Sequence, residues 1–110
     1  MDWTPISEPD LGALLIKAEA RMSPQLLGLW QAIRIRPRKW RELSYGTEGG
    51  GFWVVALFGE NAIWYNDIED GFNRSSYQNF GELDAYGCNQ DDLEIALRRV
   101  LRLVETGAEK

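Results

Sequence analysis

Residues 52 to 66 read FWVVALFGENAIWYN. Two runs rich in aromatic and β-branched residues flank Gly59-Glu60-Asn61, and a short Gly/Asn gap between such runs signals a hairpin. The middle of the chain is therefore expected to be antiparallel sheet. An antiparallel strand with one wet face alternates apolar and polar residues. FWVVALF does not alternate, so both faces of its strand should be covered. Helices split across the sheet would supply that cover. Helices gathered on one face would leave the other to a partner. A homodimer is then the expectation, because two-fold pairs are the commonest oligomers.

Working outward, Ser7-Glu8-Pro9-Asp10 reads as a helix start with a Ser cap, an early Pro and an acid three residues on. Leu11, Leu14, Leu15, Ala18 and Met22 follow at helical spacing. Ser23-Pro24 opens a second helix with the stripe Leu26, Leu27, Trp30 and Ile33, and Pro37 is expected to end it. KWRELSY, from Lys39, has a β-like pattern with Leu43 and Tyr45 on one face. GTEGGG is a loop. FNRSSY and ELDAY read as weaker strands. Asn89 is expected to cap a last helix from Gln90 to about Thr106, buried through Leu93, Ala96, Leu97, Val100, Leu101 and Val104. Glu94 and Arg98 form an i,i+4 pair on its solvent side, worth roughly 0.3–0.5 kcal/mol. GAEK reads as a frayed tail. The result is a single α+β domain over residues 1–110: two N-terminal helices, an antiparallel meander of four to five strands, and one C-terminal helix.

The chain has 110 residues, no histidine, one cysteine and a net charge of −5. A lone cysteine, Cys88, excludes an internal disulfide, points to a reducing compartment and is expected to be a small buried residue. MDWTPISEPD has neither the basic nor the apolar region of a signal peptide. No apolar run approaches the roughly 18 residues of a membrane span. Cytoplasm is the expected location, with no membrane partner. RIRPRKWR, residues 34 to 41, holds five of the twelve basic residues, whereas residues 60 to 70 hold four acids and no base. The net acidity makes nucleic acid an unfavoured partner.

The acidic stretch fails as an EF-hand. With Gly71 at loop position 6, Ile68 and Tyr77 fall at ligand positions 3 and 12. Without histidine, the usual zinc and copper ligand sets and His-based catalysis are missing. GTEGGG lacks the Gly-Lys-Ser/Thr ending of a phosphate loop. No metal, cofactor or catalytic residue is expected. Trp30, Trp53 and Trp64 belong to apolar stripes and read as core. Trp40 lies among arginines, the composition of a binding hot spot.

Residues 53 to 93 resemble a recurrent pattern in small uncharacterised bacterial α+β proteins. Its landmarks here are Trp64-Tyr65-Asn66-Asp67, Glu69, Gly71-Phe72-Asn73, Ser75, and Asn89-Gln90 before the last helix. The general character is similar to immunity proteins of bacterial toxin systems, which are small, acidic and cytoplasmic. The resemblance implies a protein partner, a toxin, and supplies no catalytic residue. The expected function is thus non-enzymatic protein binding, with Arg36, Arg38, Trp40, Arg41, Asp67, Glu69 and Asp70 as partner-binding candidates. One alternative is a nucleic-acid-binding or regulatory module using Arg34, Arg36, Arg38, Lys39, Trp40 and Arg41. A second is a small enzyme built on a carboxylate pair such as Asp67 and Glu69. Within the acidic stretch, Asn66, Asp67 and Asn73 are expected to hold the turn, with Glu69 and Asp70 in solvent.

Overall fold

A computed structural model describes residues 3–107 of the chain. The order is α1 (Glu8–Ala20), α2 (Pro24–Ile33), β1 (Arg34–Trp40), a short 3-10 turn (Gly46–Gly49), β2 (Phe52–Phe58), β3 (Asn61–Asn66), β4 (Gly71–Ser76) and α3 (Leu93–Thr106). The strands form one antiparallel meander in the order β1-β2-β3-β4. The expected α+β architecture holds, with four strands. Both N-terminal caps are as read: Ser7 Oγ accepts from the Asp10 amide and Ser23 Oγ from the Leu26 amide, each at 3.2 Å. The expected frayed tail lies outside the described residues beyond Gly107.

All three helices pack on one face. Leu11, Leu15, Leu26, Trp30, Leu97 and Val100 meet Val55, Ala56, Ile63, Tyr65 and Phe72 of the sheet. The other face carries a second core of Trp40, Phe52, Val54, Ala62, Trp64 and Leu83, flanked by Trp3, Ile35, Leu57, Ile68, Tyr77 and Tyr86. No helix residue belongs to it. Its cover is the chain itself: the segment preceding α1 and the irregular stretch 77–91. The open strand face that motivates a two-fold dimer is therefore absent. The broken alternation of FWVVALF also has a local cause. The β2–β3 register slips between Val54 and Ala56, and Val55 and Ala56 both join the helix-side core. This is a β-bulge, which places two successive residues against one partner.

Several boundaries differ from the sequence expectations. Pro37 does not end α2; it sits inside β1, which follows α2 without a loop. β1 is an edge strand, where proline is tolerated, and its pairing with β2 slips between Arg34 and Arg38. Arginines, a proline and a bulge on one edge strand also oppose strand-to-strand aggregation. Leu43 and Tyr45 lie beyond the strand and are exposed. ELDAY is no strand, because its backbone bonds go singly to scattered partners, the Asn79, Arg41 and Ser76 carbonyls and Ser75 Oγ, with only isolated bridges. α3 starts at Leu93 behind Asp92, since Asn89 is engaged by Asn73. Cys88 is exposed.

Glu94 is not on the solvent side. It is buried and holds Arg21 at the end of α1 in a fork, Nε to Oε2 at 2.6 Å and Nη2 to Oε1 at 3.0 Å. The Arg21 guanidinium keeps this carboxyl below its usual 4.5, against the opposing effect of burial. A depressed folded-state value means that Glu94 adds stability above the unfolded value, lost as pH falls through the folded one. The stability gap between wild type and Glu94→Gln should therefore be widest near neutrality and narrow below pH 4.5. Urea titrations across that range would show it; a gap widening toward low pH would contradict it.

Candidate functional site

The acidic turn between β3 and β4 is organised by asparagine. Asn66 is buried, and its Oδ1 accepts from the Ile68 and Glu69 amides at 2.9 and 3.1 Å, closing the turn. Its Nδ2 donates to the Gly87 carbonyl at 2.7 Å. Asn73 repeats the device: Oδ1 accepts from the Asn89 amide at 2.9 Å and Nδ2 donates to the Asn89 carbonyl at 3.0 Å. Ser75 Oγ donates to the Ala85 carbonyl and accepts from Trp64 Nε1. Asn66, Asn73 and Ser75 thus fasten residues 85–89 over the second core. The pattern shared by Trp64, Asn66, Asn73 and Ser75 is a structural staple.

The acids divide. Asp67 Oδ2 accepts from the Ile6 amide at 2.8 Å and ties down the segment before α1. Its Oδ1 is buried with no hydrogen-bond partner among the described residues. Burial raises the Asp67 pKa, partly offset by the Ile6 bond and Lys39. Asp70 is exposed, in the left-handed region at φ 59°, and accepts from Tyr65 Oη at 3.4 Å. Burial and the neighbouring Asp70 charge push the Tyr65 phenol up to about 12. Glu69 is half-buried and accepts from Gln90 at 3.4 Å. Among the described residues, no group of three or more His, Cys, Asp or Glu is placed to hold a metal ion.

The basic stretch is also divided. Arg34 bonds Glu19 at 2.6 Å and stacks over Trp30, while Trp30 Nε1 donates to the same Glu19 oxygen. Lys39 donates to the Gly49 and Gly51 carbonyls and lies over Trp53; burial lowers its pKa, opposed by Asp67. Trp40 is 2% exposed, edge-on to Tyr77 and Phe80. It is core and offers no free stacking surface. Arg36, Arg38 and Arg41 remain exposed. Arg36 sits 3.8 Å from Glu8 and Arg41 3.7 Å from Glu82. The seven candidates are not brought together: Arg36, Arg38 and Arg41 belong to β1 and its end, the acids to the β3–β4 turn, with β2 and β3 between.

Two surfaces escape a reading of the sequence. Leu43, Phe80 and Tyr45 are 73%, 65% and 56% exposed, all on loops at the β1 end of the second face. Tyr45 leans on Tyr86 with centroids 4.5 Å apart, and Phe80 packs on Trp40. Buried Glu42 shapes this loop: its carboxylate accepts from the Ser44, Tyr45 and Gly46 amides at 3.0, 2.7 and 3.1 Å. The signal available was weak, namely two apolar residues, Leu43 and Tyr45, beside a basic run. The second surface is a cleft of about 660 Å³ on the helix side, lined by Arg74 and by arginines of α3. Compared with known proteins, the chain matches no family model, no curated protein and no solved structure.

Proposed function

We propose that this chain is a non-enzymatic protein-binding domain, read most specifically as an immunity-type inhibitor that covers a bacterial toxin in the cytoplasm. The observation that carries this reading is the exposed trio Leu43, Tyr45 and Phe80, standing on loops over an aromatic core and beside Arg41. Large apolar and aromatic side chains with an adjacent arginine are the composition of interface hot spots. Tyr45 and Phe80 each extend the aromatic second core to the surface, through Tyr86 and Trp40. The net charge of −5 favours a basic partner and speeds its encounter. A homodimer, with the strand face closed, would need another surface, and this patch is one candidate. The nucleic-acid alternative keeps Arg36, Arg38 and Arg41 but loses Trp40 as a stacking platform.

Capture from source cells with wild type and with Leu43→Ser/Tyr45→Ser/Phe80→Ser tests the reading. Wild type should retain a specific protein, and the triple variant should bind it at least about tenfold more weakly. The retained protein, expressed alone, should arrest growth, and co-expression of this chain should restore it. Equal retention by the variant, or a captured protein without toxicity, would count against the proposal.

A further inference from the structure

Ile95, Arg98, Arg99, Arg102 and Leu103 recur at i, i+3, i+4, i+7 and i+8 along α3, so they form one stripe. This stripe is distinct from the one that α3 buries through Leu93, Ala96, Leu97 and Val100. It faces Arg74 of β4 across the cleft of about 660 Å³. Four of the twelve basic residues of an acidic chain therefore line one groove. Two have partners: Arg99 Nη1 is ion-paired to Asp91 at 2.6 Å, which offsets part of its charge, and Arg74 Nη1 donates weakly to Asn61 at 3.3 Å. A guanidinium has five N–H donors, so each keeps most of its capacity. All four arginines are exposed, and half-buried Ile95 and Leu103 supply apolar lining between them. Like charges at i,i+4, as at Arg98 and Arg102, disfavour the helix when alone. An anion in the groove would relieve that repulsion.

We infer that this groove is a docking site for an acidic polypeptide segment of a partner protein, with carboxylates on Arg74, Arg98, Arg99 and Arg102 and an apolar residue against Ile95 and Leu103. Charge complementarity selects an anion. The lining selects a peptide over a polynucleotide: it holds no aromatic ring on which a base could stack. The arginine and aliphatic lining suits mixed glutamate and leucine side chains better than a bare inorganic anion. The groove lies on the helix side of the sheet, opposite the Leu43, Tyr45 and Phe80 patch, so the inference does not depend on that surface.

The test is fluorescence anisotropy with a labelled glutamate-rich peptide containing leucine, at low and moderate salt. Saturable binding is expected, weakened by salt. Arg98→Glu/Arg102→Glu should weaken it by more than about tenfold, because like charges would then face the ligand. Arg36→Glu/Arg38→Glu, on β1, should leave it within about twofold of wild type, as expected for a distant independent site. Circular dichroism should show all three proteins folded, since the replaced side chains are exposed. Four results would overturn the inference. They are absence of binding, equal loss in both double variants, displacement by an oligonucleotide at lower concentration than by unlabelled peptide, and equally effective displacement by tripolyphosphate. The triple variant at Leu43, Tyr45 and Phe80 should bind this peptide as wild type does, which separates failure of the groove from failure of the aromatic surface.

Discussion

Asn73→Ala should destabilise the fold by about 1–2 kcal/mol, because it removes two part-buried hydrogen bonds, to the Asn89 amide and to its carbonyl, at once. Asn73 is 3% exposed, and both hydrogen-bonding groups of Asn89 close on its side chain. Gly87 packs on the same side chain: a Cβ there would meet Asn73 Oδ1 at 2.6 Å. Alanine would thus leave a gap as well as unpaired groups, and water reaching the opened end of the loop would recover part of the loss. Glu69→Ala is the matched control. Its one bond to Gln90 is long, at 3.4 Å, and exposed, so the change should stay below roughly 0.5 kcal/mol, as for a surface site. Chemical denaturation of the two variants gives the comparison. Equal effects would mean that the asparagine is not a staple.

Glu42→Ala should cost about 3 kcal/mol, since hydrogen bonds to a charged group contribute roughly 1.5–3 kcal/mol each and partial hydration offsets some of the loss. The Ser44 and Tyr45 amides lose their acceptor together, whereas the Gly46 amide keeps its second acceptor, the Glu42 backbone carbonyl at 3.1 Å. The same loop carries Leu43 and Tyr45, so on the proposed protein-binding reading the variant should also bind a partner less well even where it remains folded. Glu42→Gln keeps an acceptor of the same shape without the charge and should fall between alanine and wild type. A Glu42→Ala protein with wild-type urea midpoint would contradict the assignment.

The parts of this fold legible in the sequence are those encoded locally. Ser7 and Ser23 cap helices within three residues of themselves, and Gly59-Glu60-Asn61 joins adjacent strands. The double-sided burial of FWVVALF was readable from composition, although its bulge was not. The cover was hidden because its bonds link distant positions: Asn66 to Gly87, Asn73 to Asn89, Ser75 to Ala85. Periodicity cannot report such pairs, so 82–86 looked like a strand and Asn89 like a helix cap. The basic run misled for a related reason. Linear density of arginine singled out residues 34–41, yet folding buries Trp40 and binds Arg34 and Lys39 into the structure. The arginine groove combines α3 with Arg74 from another element, and only the fold brings them together.

Central to the account is closure of the second sheet face by the chain's own residues 77–91. Amide hydrogen exchange tests this most directly. The Leu83 amide donates to the Arg41 carbonyl at 2.9 Å, the Asp84 amide to the Ser76 carbonyl at 3.0 Å, and the Asn89 amide to Asn73 Oδ1 at 2.9 Å. These three should exchange at least about a hundredfold more slowly than unstructured chain, as part of a cooperative unit with the sheet. In Asn73→Ala the Asn89 amide should lose that protection first. Rapid exchange at all three in wild type, while β2 and β3 stay protected, would show that the face is not closed in this way.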